Sequence, residues 1–140
     1  MQDRPSAIEL LEAAADFVDR EIVTTTEGRV QFQSRVVANV MRIAAREIRD
    51  EDRFARAELR ALAAVLKCET PHVHGLDDVR EAAARMGGEL SAGIRAGAAD
   101  RDPRRAQVMA AVRQIVEDKL RIANPRYLEA DLAIRAERRT

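Results

Sequence analysis

Residues Val30–Arg49 read VQFQSRVVANVMRIAAREIR. At the roughly 100° per residue of an α-helix, Arg35, Arg42, Arg46 and Arg49 gather in one polar strip. Phe32, Val36, Val37, Val40, Met41, Ile43, Ala44 and Ile48 take most of the remaining circumference. A helix apolar over most of its girth needs cover on several sides. The segment is therefore expected to be the buried central helix of an all-α fold: a single-domain helical bundle of about five helices spanning residues 1–140, with a short C-terminal helical tail at 126–140. Two polar residues interrupt its apolar arc. Asn39 sits at the border, and Glu47 lies inside the arc, between Val36 and Val40 in angle.

The flanking chain supplies the helices that would cover it. Ser6-Ala-Ile-Glu9 is a capping box: a serine hydroxyl takes an orphan N–H while the glutamate reaches back. A helix to about Val23 follows, with Ile8, Leu11, Ala15, Val18 and Ile22 on one stripe and Leu10, Ala14 and Phe17 widening it. Glu9, Glu12, Asp16 and Asp19 collect opposite, an acidic strip to set beside the arginines. Thr24–Gly28 reads as a β-branched turn ending in glycine. Arg49-Asp50-Glu51-Asp52 reads as a polar break before a third helix to Lys67, whose apolar side is Phe54, Leu59, Leu62, Val65 and Leu66.

Leu76 to about Ala96 keeps one stripe through Val79, Ala83, Met86, Leu90 and Ile94. Gly87-Gly88 lies inside it, so either one helix or two short ones satisfies the pattern, since each mid-helix glycine costs about 1 kcal/mol. Gly97 is placed to terminate it. Asp102 and Pro103 suit a cap and first turn for a last long helix to Ala123, lined by Val108, Ala111, Val112, Ile115, Val116 and Ile122 with Lys119 among them. Asn124-Pro125 is a stop. Tyr127, Leu128, Leu132 and Ile134 give the tail the means to dock, and its arginine-rich end is expected to fray.

Composition narrows the function. Lys+Arg and Asp+Glu both number 24, so the chain lacks the positive excess that neutralises nucleic-acid phosphates. Phe17, Phe32, Phe54 and Tyr127 are its only aromatics, too few for a base-stacking platform. A lone cysteine, Cys68, permits no internal disulfide, and no apolar run reaches the ~20 residues of a membrane span. No signal-peptide pattern opens the chain. A cytoplasmic protein with neither nucleic-acid nor membrane partners is expected.

Neither a phosphate-binding glycine loop nor a strand to carry one is present, and no H-E-x-x-H occurs. Cys68, His72 and His74 carry zinc-binding atoms, but their spacing fits no standard finger. No cofactor, metal or catalytic residue is assigned. The polar pair of most interest is Glu47 and Lys119, each a charge on the inner side of its helix. They are expected to meet as a buried ion pair fixing register; the alternatives are a base or ligand contact at Glu47 and a snorkelling Lys119. The arginine strip suits phosphate or carboxylate groups, or plain solvent.

Three stretches carry a family resemblance: Met1-Gln-Asp-Arg-Pro5 leading to Glu9-Leu-Leu-Glu-Ala13; Phe32 with Arg35-Val-Val-Ala-Asn39 and Arg46-Glu47; and Lys119-Leu120 with Asn124-Pro-Arg-Tyr-Leu128. Together they resemble a bacterial domain-of-unknown-function family of small helical proteins, encoded beside aminoglycoside-phosphotransferase-like kinases and acyl-CoA dehydrogenases. The resemblance implies a non-catalytic companion subunit for a kinase that phosphorylates hydroxyacyl-CoA thioesters in acid catabolism. It marks Arg35, Asn39, Arg46, Glu47, Lys119, Asn124, Arg126 and Tyr127, with Arg42 of the strip, as interaction candidates. Two other readings stand beside it. One is a binder of acyl-CoA or a carboxylate near Asn39, Glu47 and Lys119. The other is a self-associating module, a homodimer covering the apolar residues of the tail.

Overall fold

The computed structural model describes residues 4–138. Met1–Asp3 of the first family stretch and the terminal Arg139 and Thr140 lie outside the described residues. The fold is all-α, as expected, and no strand occurs among the described residues. The helices are α1 (Ala7–Phe17), α2 (Val23–Thr25), α3 (Gly28–Leu66), α4 (Leu76–Arg95), α5 (Arg104–Ala123) and α6 (Pro125–Glu137), with a π-helical turn at Val18–Ile22 between the first two. The described chain divides into two compact units, one ending at Glu51 and the other starting at Asp52, and α3 contributes to both.

In the first unit the capping box is formed. Ser6 N donates to Glu9 Oε2 at 2.7 Å, and Glu9 N donates to Ser6 Oγ at 3.3 Å. The bond from Ser6 N, and after it the Ser6 side chain, hold the Glu9 carboxyl below its ordinary pKa. A depressed folded-state pKa adds stability above the unfolded value, and that contribution is lost as pH falls through the folded pKa. In an NMR titration the Glu9 carboxyl should therefore titrate below the ordinary glutamate value, with α1 fraying from Ser6 as it protonates. An unshifted Glu9 midpoint would show that the box does not form in solution.

The first helical run extends further than Val23. Thr24 and Thr25 are helical, so the expected turn shrinks to Thr26 and Glu27. In the π-turn, backbone carbonyls fall out of the usual i→i−4 ladder. Hydroxyl donors offset this: Thr24 Oγ1 donates to the Arg20 carbonyl at 2.5 Å, Thr26 Oγ1 to that of Ile22 at 2.6 Å, and Thr25 Oγ1 to that of Glu21. Gly28 starts α3 at φ +59, a left-handed conformation that a side chain would strain.

The expected break at Arg49–Asp52 does not exist. α3 runs 39 residues from Gly28 to Leu66 without interruption. Residues 29–66 contain no glycine or proline, and their charges support the helix instead of ending it, as when Arg56 pairs with Asp52 one turn earlier at 3.0 Å. The helix ends where Lys67 turns left-handed at φ 59 and Cys68 N bonds back to the Ala63 carbonyl at 3.1 Å. That six-to-one bond is the Schellman closure.

The second unit holds the larger core. Leu59, Leu62, Ala63 and Val65 of α3 cluster with Val79, Ala82, Ala83, Met86 and Leu90 of α4 and Val108 of α5. Val79, at the centre, is fully buried. α4 passes through Gly87-Gly88 unbroken, and a Cβ at either glycine would meet nothing within 4 Å. Its stripe stays in phase across them, so burial of Val79, Met86 and Leu90 outweighs the glycine cost. Gly97 terminates α4 at φ +84, with Ala98 N bonding to the Gly93 carbonyl. α5 begins at Arg104, one residue later than expected, with Pro103 at the cap and no side-chain cap bond there.

The tail is a thirteen-residue helix. Asn124 does more than stop α5. Its Oδ1 accepts from Tyr127 N at 3.2 Å, capping α6 with Pro125 in the first turn. Leu128 is buried, and Arg135 ties α6 to Glu117 of α5 at 3.0 Å.

Candidate interaction surfaces

The arginine strip of α3 is largely turned to α1. Arg42 Nη2 meets Asp16 Oδ1 at 2.9 Å and its Nη1 meets Asp19 Oδ2 at 2.6 Å. Arg49 Nη2 meets Glu12 Oε1 at 2.5 Å. The acidic strip of the first helix and the arginines of the central one thus form a ladder between antiparallel neighbours. Hydrogen bonds from Asp16 and Asp19 hold the Arg42 guanidinium above its ordinary pKa. Arg46 is half-buried, and burial first, then the charges of Arg42 and Arg49, keep its pKa below the ordinary value. Arg35 and Asn39 are exposed.

Small residues accompany the ladder. Ala15 adjoins Asp16, while Ala38 and Ala45 precede Arg42 and Arg49 by one turn, and all three are buried. Alanines on that face let the two backbones approach closely enough for the ion pairs to close.

This arrangement overturns the expected cover of Val30–Arg49. The helix is seated on its polar and small-residue side, and its apolar side faces outward. Val30, Phe32, Val36, Val37, Val40 and Ile48 are all exposed, from 45% for the two valines 36 and 37 to 67% for Phe32. The physical reason is the charge match: Glu12 and Asp16 of α1 and Asp19 of the π-helical turn lie opposite Arg42 and Arg49 of α3, and the first helical run can satisfy only one face.

Neither Glu47 nor Lys119 is the buried charge that was expected. Lys119 Nζ bonds Glu58 Oε1 at 2.7 Å with its own side chain 64% exposed, and Glu47 is exposed. Lysine's long stem carries its head to water, so no buried charge demands a partner. The buried acid that the sequence reading missed is Asp118, which accepts from Gln114 Nε2 at 3.1 Å and from Arg121 Nη1. Both donors lie within one turn, so the i, i+3 and i, i+4 spacing was its signal.

In the second unit, Ile94 of α4 apart, the exposed large apolar side chains lie on the last two helices. Met109 and Val116 are two turns apart on α5, and Leu132 and Ile134 follow on α6. Tyr127, beside exposed Arg126, is 60% exposed at the start of α6. A shallow depression elsewhere in this unit is lined by Arg56, Leu59, Arg60, Pro71, His72 and His74. Arg56 is engaged there, donating to Asp52 and to the His74 carbonyl at 3.1 Å. Among the described residues, no three His, Cys, Asp or Glu side chains are grouped to hold a metal ion, and no helix is long and apolar enough to cross a membrane.

No curated protein and no solved structure matches the chain. A family described as Domain of unknown function (DUF6285) matches residues 24–127, which takes in α3, α4, α5 and the start of α6. Asn39, Glu47, Lys119 and Asn124–Tyr127 all fall inside that span, and the chain belongs to this family of domains of unknown function.

Proposed function

We propose that this chain is a non-catalytic helical accessory subunit, and that its partner is an aminoglycoside-phosphotransferase-like kinase acting on hydroxyacyl-CoA thioesters. The observation that carries the interaction role is the chain's apolar exterior. Ordered helices present Met109, Val116, Tyr127, Leu132 and Ile134 to solvent in one unit and Phe32, Val36 and Val40 in the other. Large apolar side chains left in water on a folded protein are what a partner's surface would cover. The kinase itself comes from the resemblance carried by Arg35–Asn39, Arg46-Glu47 and Asn124–Leu128. The α5–α6 surface is the one assigned to it, because Tyr127 combines family motif with exposure and tyrosine is enriched among residues that dominate binding.

Co-expression tests the reading. The tagged chain should capture an aminoglycoside-phosphotransferase-like kinase co-expressed from the same host, and that kinase's turnover of hydroxyacyl-CoA should fall when the chain is left out. Tyr127→Ala should weaken the complex by on the order of tenfold or more, with the chain's own melting unchanged, since Tyr127 contributes only its backbone N–H to the α6 cap. Full kinase activity in the absence of this chain removes the proposal.

A further inference from the structure

The outward face of α3 has an internal order that exposure alone does not explain. Arg29, Gln33, Val36, Val40, Ile43 and Glu47 follow one another at spacings of four and three residues. That alternation is a coiled-coil seam, the 3.5-residue repeat that keeps one line of side chains facing a partner helix. The seam runs opposite the face that Ala38, Arg42, Ala45 and Arg49 turn to α1. Its middle is apolar and its two ends carry opposite charges.

Val36 and Val40 are 45% and 56% exposed, Ile43 is half-buried, and Phe32 flanks the seam at 67% exposure. Arg29 and Glu47 are exposed, and neither makes an ion pair or side-chain hydrogen bond among the described residues. A glutamate set in an apolar stripe is costly to cover unless a cation meets it.

We propose that this seam is an isologous interface with a second copy of the chain, the two α3 segments crossing antiparallel about a two-fold axis level with Ala38. The series is complementary to its own reverse. In that register Val36 of one copy lies opposite Val40 of the other and Gln33 opposite Ile43. Phe32 meets the small Ala44, and Arg29 at each end meets Glu47. A two-fold axis repeats every contact, so one arginine–glutamate match becomes two. Parallel pairing is disfavoured, because it sets Arg29 against Arg29 and Glu47 against Glu47. An unrelated partner has no reason to reproduce this reversed pattern; a second copy does so by symmetry. The inference is independent of the kinase, which is assigned to α5 and α6.

The test uses the purified full chain without any kinase, sized by light scattering across a dilution series. Its mass should be twice the 15.6 kDa of one chain and fall to one chain on dilution. Val40→Glu should give a monomer with unchanged helical circular dichroism, since the side chain is exposed within one copy. Arg29→Glu and Glu47→Arg should each weaken the dimer by on the order of tenfold, the effect of a like-charge contact at an interface. Combining the two should restore the original dissociation constant. A monomer at every concentration overturns the proposal. So does a dimer indifferent to Val40→Glu, or a double exchange no tighter than either single one.

Discussion

Leu62→Ala is expected to lower unfolding stability by about 2–5 kcal/mol. Leu62 is 2% exposed and sits in the cluster that α3, α4 and α5 build around Val79 and Met86. Removing three buried carbons loses their transfer free energy and leaves a cavity that helices held by their loops cannot close fully. Alanine is the best helix former, so the helix itself is not weakened and the loss reports packing alone. Urea unfolding followed by circular dichroism is the measurement. A loss well under 1 kcal/mol would mean that the cluster is not packed as described. The same substitution at Ile94, 40% exposed on α4, is expected to do far less.

The second large effect concerns the first unit. Ala38→Leu should destabilise the seating of α1 on α3 by about 1–3 kcal/mol, the usual range for overpacking. Ala38 is fully buried and lies one turn before Arg42, which holds Asp16 and Asp19. A leucine there pushes the two backbones apart and lengthens those ion pairs. Each such pair, partly exposed, contributes only about 0.2–1 kcal/mol, so the ladder cannot resist. Hydrogen exchange separates the outcomes. Amides of Ala7–Phe17 should exchange roughly ten- to a hundredfold faster, while those around Val79 hold. Equal protection of α1 in the variant would place α1 on some other face of α3.

Both substitutions keep strong helix formers in place, and the two expected sites of failure differ for a physical reason. The second unit is held by large apolar side chains whose burial is proportional to area. The first is held by alanines and ion pairs, which depend on close approach. This difference could not be read from periodicity, because the arginine strip and the apolar arc of α3 are equally good helix faces until a neighbour chooses between them.

Much of the fold was legible in the residues. Repeats at three and four residues located α1, α4 and α5; of the expected stripes Val79, Ala83, Met86, Leu90 and Val108 are buried, while Ile94 and Val116 are exposed. Local chemistry located the Ser6–Glu9 box and the Gly97 terminus. The Arg49–Asp52 break was misjudged because charge was taken as punctuation, whereas aspartate and arginine four apart form a supporting pair. Asn124 was read as an end and is also a beginning, since one asparagine can close α5 and cap α6.

The candidate residues divide in the same way. Arg42 and Asn124 have structural partners, Lys119 pairs with Glu58, and Arg35, Asn39, Glu47, Arg126 and Tyr127 are exposed. The family resemblance, and for Arg42 the helical spacing, singled these positions out but did not say which were engaged within the chain.

The amino-acid sequence by itself determined that this protein is helical and where most of its helices start and stop, because propensity, capping and periodicity act over a few residues at a time. Only the tertiary structure decided which side of Val30–Arg49 is covered. That choice rests on carboxylates of α1 meeting arginines seven residues apart on α3, a match between distant segments that no local window contains. It turns an expected core outward and makes it a surface.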